Sequence, residues 1–165
     1  MAKLTPVFSS SGTITAANSS GITDGAAALV LASEAFVSTN RLKPMARIVA
    51  WSQAGVDPRT MGIGPVPAMH KLQEKTGWKS QDYDLIELNE AFAAQVIACD
   101  RELHLDPVRL NVNGGAIALG HPIGCTGARI TTTLLHEMLR RGAKKGAATL
   151  CISGGMGMAL ALEAA

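Results

Sequence analysis

Two apolar runs close the chain, 146–152 and 156–163, and only Ser153-Gly154-Gly155 separates them. Runs this short, joined by glycines, read as an antiparallel strand pair. A sheet containing them must be covered by helices, and the upstream pattern supplies candidates. The spacing predicts a long helix over 125–141 that stops at Gly142. Before it come a helix over 90–101, a buried strand over 84–88, and a helix over 66–76 closed by Gly77. Residues 45–54 alternate as a strand, and 33–40 read as a short helix. The small apolar run Gly25 to Glu34 fits a helix or a buried strand equally well. Residues 1–21 read as loop, and 114–124 as an irregular glycine-rich loop. The order implies an α/β fold, a mixed β-sheet with helices packed on its faces.

A chain of 165 residues fits one domain with a core. Aromatics make up only 4 %, so alanine and glycine set the packing distances. A net charge of +2 with no long basic block argues against nucleic acid. Arg140, Arg141, Lys144 and Lys145 sit where they favour a helix C-terminus, with an anion site as the alternative. The three cysteines Cys99, Cys125 and Cys151 show no Cys-x-x-Cys spacing, so neither a zinc site nor a redox pair is expected. With no apolar signal core at Met1–Pro6 and no membrane-length apolar stretch, the expectation is a reduced cytoplasmic protein without a membrane partner.

Three segments carry the chemistry. They are Asn89-Glu90-Ala91-Phe92, the loop Gly114 to Gly124 containing Gly120-His121-Pro122, and Cys151-Ile152-Ser153-Gly154-Gly155. His121, held between glycines and a proline, is suited to take a proton from a thiol or to donate to an oxyanion. Gly115 to Gly120 has phosphate-loop spacing, but His121-Pro122 replaces the Lys-Ser/Thr such a loop needs. Cys151 is either a packed core cysteine or, if its pKa falls toward neutrality, an acid/base beside the exposed N–H groups of the Ser153 turn. Asn89 is either a helix N-cap or a functional amide that orients a water. Phe92 reads as core or pocket wall and Cys99 as core. Cys125 reads as packing, and His70, His104 and His136 as surface. An imidazole, a thiol and an amide together suit acyl transfer through a thioester.

These segments, in this order, closely resemble the C-terminal half of thiolases, the acetyl-CoA acetyltransferase branch in particular. Gly12 to Ala28, Gly55-Val56-Asp57-Pro58 and Met61 to Pro65 extend the resemblance over the whole chain. It implies that residues 1–43 are a loop and helix that complete a thiolase's first half, and that 44–165 form its C-terminal domain. It implies that His121 activates a nucleophilic cysteine and helps hold an enolate oxygen, with a water on Asn89 completing that oxyanion hole. Cys151 would move the α-proton of acetyl-CoA, and the Ser153 N–H would hold the thioester oxygen. Ser20 and Ala16 would lie against a pantetheine arm, with Met61 and Phe92 on the pocket wall. The implied reaction is condensation of two acetyl-CoA molecules, or thiolysis of a 3-ketoacyl-CoA. Coenzyme A thioesters are the substrates, with no further cofactor and no metal. Ser153 stands where the family commonly has glycine. The family's nucleophilic cysteine belongs to an N-terminal half, so the implied partner is such a half or a second copy. The alternative is a non-catalytic fragment that binds acyl-CoA weakly or only oligomerises.

Overall fold

A computed structural model describes residues 3–165. The loop expected over 1–21 therefore has its first two residues outside the described part. The regular elements are α1 (Glu34–Thr39), β1 (Ala46–Gly55), α2 (Pro65–Thr76), β2 (Leu85–Leu88), α3 (Ala93–Leu103), α4 (Ala116–Leu119), α5 (Thr126–Arg141), β3 (Lys145–Ile152) and β4 (Met156–Ala164).

The sheet runs β1-β4-β3-β2, with β2 parallel to β3 and the other neighbours antiparallel. It is mixed, as expected. β3 and β4 form the hairpin, Ile152 opposite Met156, around Ser153-Gly154-Gly155. Gly154 and Gly155 have φ of 86° and 88°, which residues with a Cβ rarely adopt.

Successive strand residues face opposite sides of a sheet, and two cores follow from that. Ile86, Leu88, Ala147, Ala159 and Ala161 point to the side covered by Met69 and Leu72 of α2 and Cys99 and Leu103 of α3. Leu85, Ala148 and Leu162 point to the other side, against Ile130, Leu134 and Met138 of α5. Alanines dominate the sheet positions, so the helices approach closely. α2 and α5 end at Gly77 and Gly142, both left-handed, as their sequences predict.

Three expectations fail, one of them the irregular loop over 114–124, which contains the short helix α4 (Ala116–Leu119). The helix predicted over 90–101 starts only at Ala93, with Phe92 as its cap, so Asn89 is not an N-cap. Ala91 and Phe92 are held by the N-terminal segment instead, through the Ser20 N–H on Ala91 C=O and a bridge between Ser19 and Phe92. The run 25–33 is neither helix nor buried strand. It is irregular and most of it is exposed, and the backbone of residues 25–32 makes no hydrogen bonds among the described residues.

Candidate active site

β2 ends at Leu88, one residue before Asn89. Its outer edge has no strand neighbour, and the segment after α3 supplies one. The Ile86 N–H donates to Arg109, and the Asn111 N–H donates back to Ile86. The Asn111 side chain continues the ladder. Its Oδ1 accepts from Leu88 N–H at 2.9 Å and its Nδ2 donates to Leu88 C=O at 2.8 Å. Asn111 Nδ2 also reaches Glu90 Oε1 at 3.2 Å, while Glu90 Oε2 accepts from the Ile117 N–H at 3.2 Å. Glu90 thus ties the end of β2 to the start of α4, and hence to the loop that carries His121. Asn111 does not stand out in the sequence, and Glu90 does so only as part of the Asn-Glu-Ala-Phe segment with no role of its own, because their partners lie 20 or more residues away.

Asn89 is fully buried, with its backbone N–H on Thr149 of β3. Its Nδ2 lies 3.4 Å from His121 Nε2, and its Oδ1 is buried without a partner. His121 is half-buried at the end of a tight path. Gly120 has φ of 95°, and the Thr23 side chain occupies the space a Cβ there would need. The His121 N–H donates to Gly21 C=O at 2.8 Å, and Ser20 N–H donates to Ala91 C=O at 3.0 Å. The stretch 19–22 is therefore stitched to both the Asn-Glu-Ala-Phe segment and the histidine loop. On its far side His121 Nδ1 meets the Thr126 hydroxyl at 2.6 Å. Burial, then the Arg129 guanidinium, hold the imidazole below its ordinary pKa, so the ring is neutral at neutral pH.

Cys151 is buried at the end of β3, and burial pushes its thiol pKa up. The expectation of a thiol near neutrality does not match this: the resting group is a protonated thiol. Ser153 is exposed in the turn, and its N–H donates to no other backbone group among the described residues. Cys99 packs on α3, its thiol raised to about 11 by burial, and its Sγ lies 3.4 Å from Gly62 C=O. Cys125 caps α5.

His121, Cys151, Ser153, Ser20, Ala16, Met61 and Phe92 line one open cavity of about 620 Å³. Asn89 joins it through the histidine ring. Cys99 and Cys125 are not on its wall. Phe8, which the sequence did not single out, also lines it and meets Phe92 edge to face at 5.8 Å. His70, His104 and His136 are exposed, as expected. The wall is mostly apolar with a few polar groups, which suits an acyl chain or a pantetheine-like arm. Among the described residues no cluster of His, Cys, Asp or Glu is placed to hold a metal, and no helix is long and apolar enough to cross a membrane.

Comparison with known proteins gives the same family from three directions. The sequence pattern of "Thiolase, C-terminal domain" matches residues 42–164, and that of "Thiolase, N-terminal domain" matches 1–35. The acetyl-CoA acetyltransferase of Shinella zoogloeoides is 60 % identical over 163 residues, 99 % of this chain and 42 % of that protein. The enzyme of the same name from Rhizobium meliloti (strain 1021) is 57 % identical over the same shares. The crystal structure of the Bacillus anthracis acetyl-CoA acetyltransferase superposes with a TM-score of 0.97 at 56 % identity, covering 99 % of this chain and 42 % of that one. Human mitochondrial 3-ketoacyl-CoA thiolase in complex with CoA superposes with a TM-score of 0.93 at 48 % identity, with the same coverage. The chain spans about 42 % of the length of the relatives it matches, and by its fold and sequence it belongs to the thiolase family.

Proposed function

We propose that this chain supplies the acid-base and oxyanion-holding part of an acetyl-CoA acetyltransferase, and that the nucleophilic thiol comes from outside these 165 residues. The observation that carries the reading is one cavity lined by His121, Cys151 and Ser153, with Asn89 on the imidazole. Neither Cys99 nor Cys125 lines that cavity, which supports an outside nucleophile.

The protonation states suit the chemistry. Neutral His121 takes the proton of the incoming thiol, and the thiolate attacks the acyl carbon of a CoA thioester. Cys151, protonated at rest, gives its proton to the departing CoA sulfur. It is left as a thiolate whose raised pKa makes it a strong base. That thiolate takes the α-proton of a second acetyl-CoA, and the resulting carbanion attacks the acyl group and releases the enzyme's thiol. The enolate oxygen faces His121 Nε2–H and a water held by Asn89 Oδ1, and the thioester oxygen faces the Ser153 N–H. Ser20, Ala16, Met61 and Phe92 shape the pocket. The steps ask for no metal and no cofactor besides the CoA thioesters. Thiolysis is the same sequence reversed.

The partner is an N-terminal thiolase half. Exposed Ile22, Val30, Leu31 and Phe36, together with Leu119 and Ile123 around the histidine loop, form the apolar surface it would cover. The test mixes this chain with such a half. The expected result is acetylation of the partner's thiol and condensation of acetyl-CoA, both lost in His121→Ala. Cys151→Ala blocks condensation while leaving much of the acyl transfer. Turnover by the 165-residue chain alone at ordinary enzyme rates would overturn the reading, as would a mixed pair that only associates.

A further inference from the structure

We propose that Thr126 is a positioning residue whose hydroxyl accepts the Nδ1 proton of His121 and so holds the neutral ring with its Nε2 lone pair facing the cavity. The catalytic consequence rests on the role proposed above for His121, but the ring state does not.

Thr126 is fully buried in the first turn of α5. Its Oγ1 lies 2.6 Å from His121 Nδ1 and 3.0 Å from Pro122 C=O. A hydroxyl has one proton and two lone pairs, so only one of those neighbours can receive the proton. The helix shows where it goes. Thr131, Thr132 and Thr133 each donate to the carbonyl four residues back, at 2.8, 2.9 and 3.2 Å. This is the ordinary bond of a helical threonine, and the Pro122 carbonyl holds the same position relative to Thr126. The proton committed there leaves only lone pairs for the imidazole, so Nδ1 carries the ring's hydrogen.

The other end of the ring agrees. Asn89 Nδ2 is a donor only, and it lies 3.4 Å from Nε2. A hydrogen on Nε2 would set two donors against each other. The helix that starts beside the histidine loop therefore does more than support it. Its first buried side chain selects which nitrogen is free to act as a base. Sequence spacing places Thr126 five residues after His121, but only the fold turns that spacing into contact.

The test is long-range 1H–15N NMR on the 165-residue chain with 15N-labelled histidine, at about pH 8, well above the ordinary imidazole pKa of about 6.5. The His121 lines are those missing from His121→Ala. The expected pattern is a protonated, pyrrole-like Nδ1 and a bare, pyridine-like Nε2. In Thr126→Val the two lines move toward each other as the tautomers mix, and Thr126→Ser restores the separation. A wild-type ring with the proton on Nε2 overturns the proposal even if the valine variant does not fold. An unchanged pattern in a folded Thr126→Val also overturns it. In the mixture with an N-terminal half, Thr126→Val is expected to slow acyl transfer about 10- to 100-fold, less than the loss of a general base altogether because the imidazole remains, with Thr126→Ser near wild type. If the tautomer is as stated but no partner thiol is acylated, the proposed function fails and this inference stands. If acylation occurs with the proton on Nε2, the reverse holds.

Discussion

The runs 25–33 and 146–152 look alike as sequence: short, apolar, rich in alanine. Their fates are opposite. Residues of 146–152 lie inside a four-stranded sheet with helices on both faces, and Ala147 is fully buried. In the run 25–33, Val30 is 98 % exposed and Leu31 74 %. The difference is not propensity but neighbours. β3 has β2 on one edge and β4 on the other, so its backbone groups are paired and its side chains covered. The run 25–33 has no strand beside it among the described residues. An apolar pattern says that a segment needs cover, not where the cover comes from.

The comparison breaks most sharply on core truncation. Leu72→Ala, at a side chain with no exposure on the covered face, is expected to lose about 2–5 kcal/mol in urea unfolding. A loss under about 1 kcal/mol would mean that face is not packed as described.

Glu87 gives a smaller effect with a pH signature. It is buried on β2, and burial, only partly offset by Arg129 3.9 Å away, raises its carboxyl from 4.5 to about 7. The folded state therefore holds that proton more tightly than the unfolded chain. The stability this lends is complete below about pH 4.5 and lost as pH rises through about 7. Glu87→Gln keeps the neutral form, so it should be more stable than wild type by about 1–3 kcal/mol at pH 8, with the difference vanishing near pH 4. Equal urea midpoints at both pH values would show that the carboxyl is not held neutral.

Asn111→Ala is next, with an expected loss of about 1–3 kcal/mol because Leu88 would lose both side-chain partners at a buried strand end. The loss should come with broadened Asn89 and His121 resonances, since Glu90 would lose a partner too. Smallest is Val30→Ser, expected to change the stability of the chain by less than about 0.5 kcal/mol. The same substitution should weaken association with an N-terminal half. Hydrogen exchange sharpens the contrast: amides of β3 should be protected, and those of 25–33 should exchange freely in the isolated chain. Protection of 25–33 equal to that of β3 would remove the distinction.

Much of the fold was legible. Gly77 and Gly142 marked the ends of α2 and α5, and the glycine turn marked the β3–β4 hairpin, because these signals are local. The start of α3 was misjudged because Asn89 imitates a cap. Its backbone N–H instead joins β3 and its side chain turns to His121, two contacts no local pattern encodes. Cys151 was recognisable from its turn, but not its raised pKa, which comes from burial by distant residues.

By itself the sequence determined where elements end, which residue types carry chemistry, and which segments need burial. Those are properties of neighbours along the chain: left-handed glycines, apolar runs, a proline after a histidine. Tertiary structure alone decided that Asn111 completes the edge of β2, that Glu90 ties β2 to the histidine loop, and that Thr126 sits beneath the imidazole. Side-chain hydrogen bonds and desolvation act over a few ångströms in space, and the residues they join here lie from five to more than 30 positions apart.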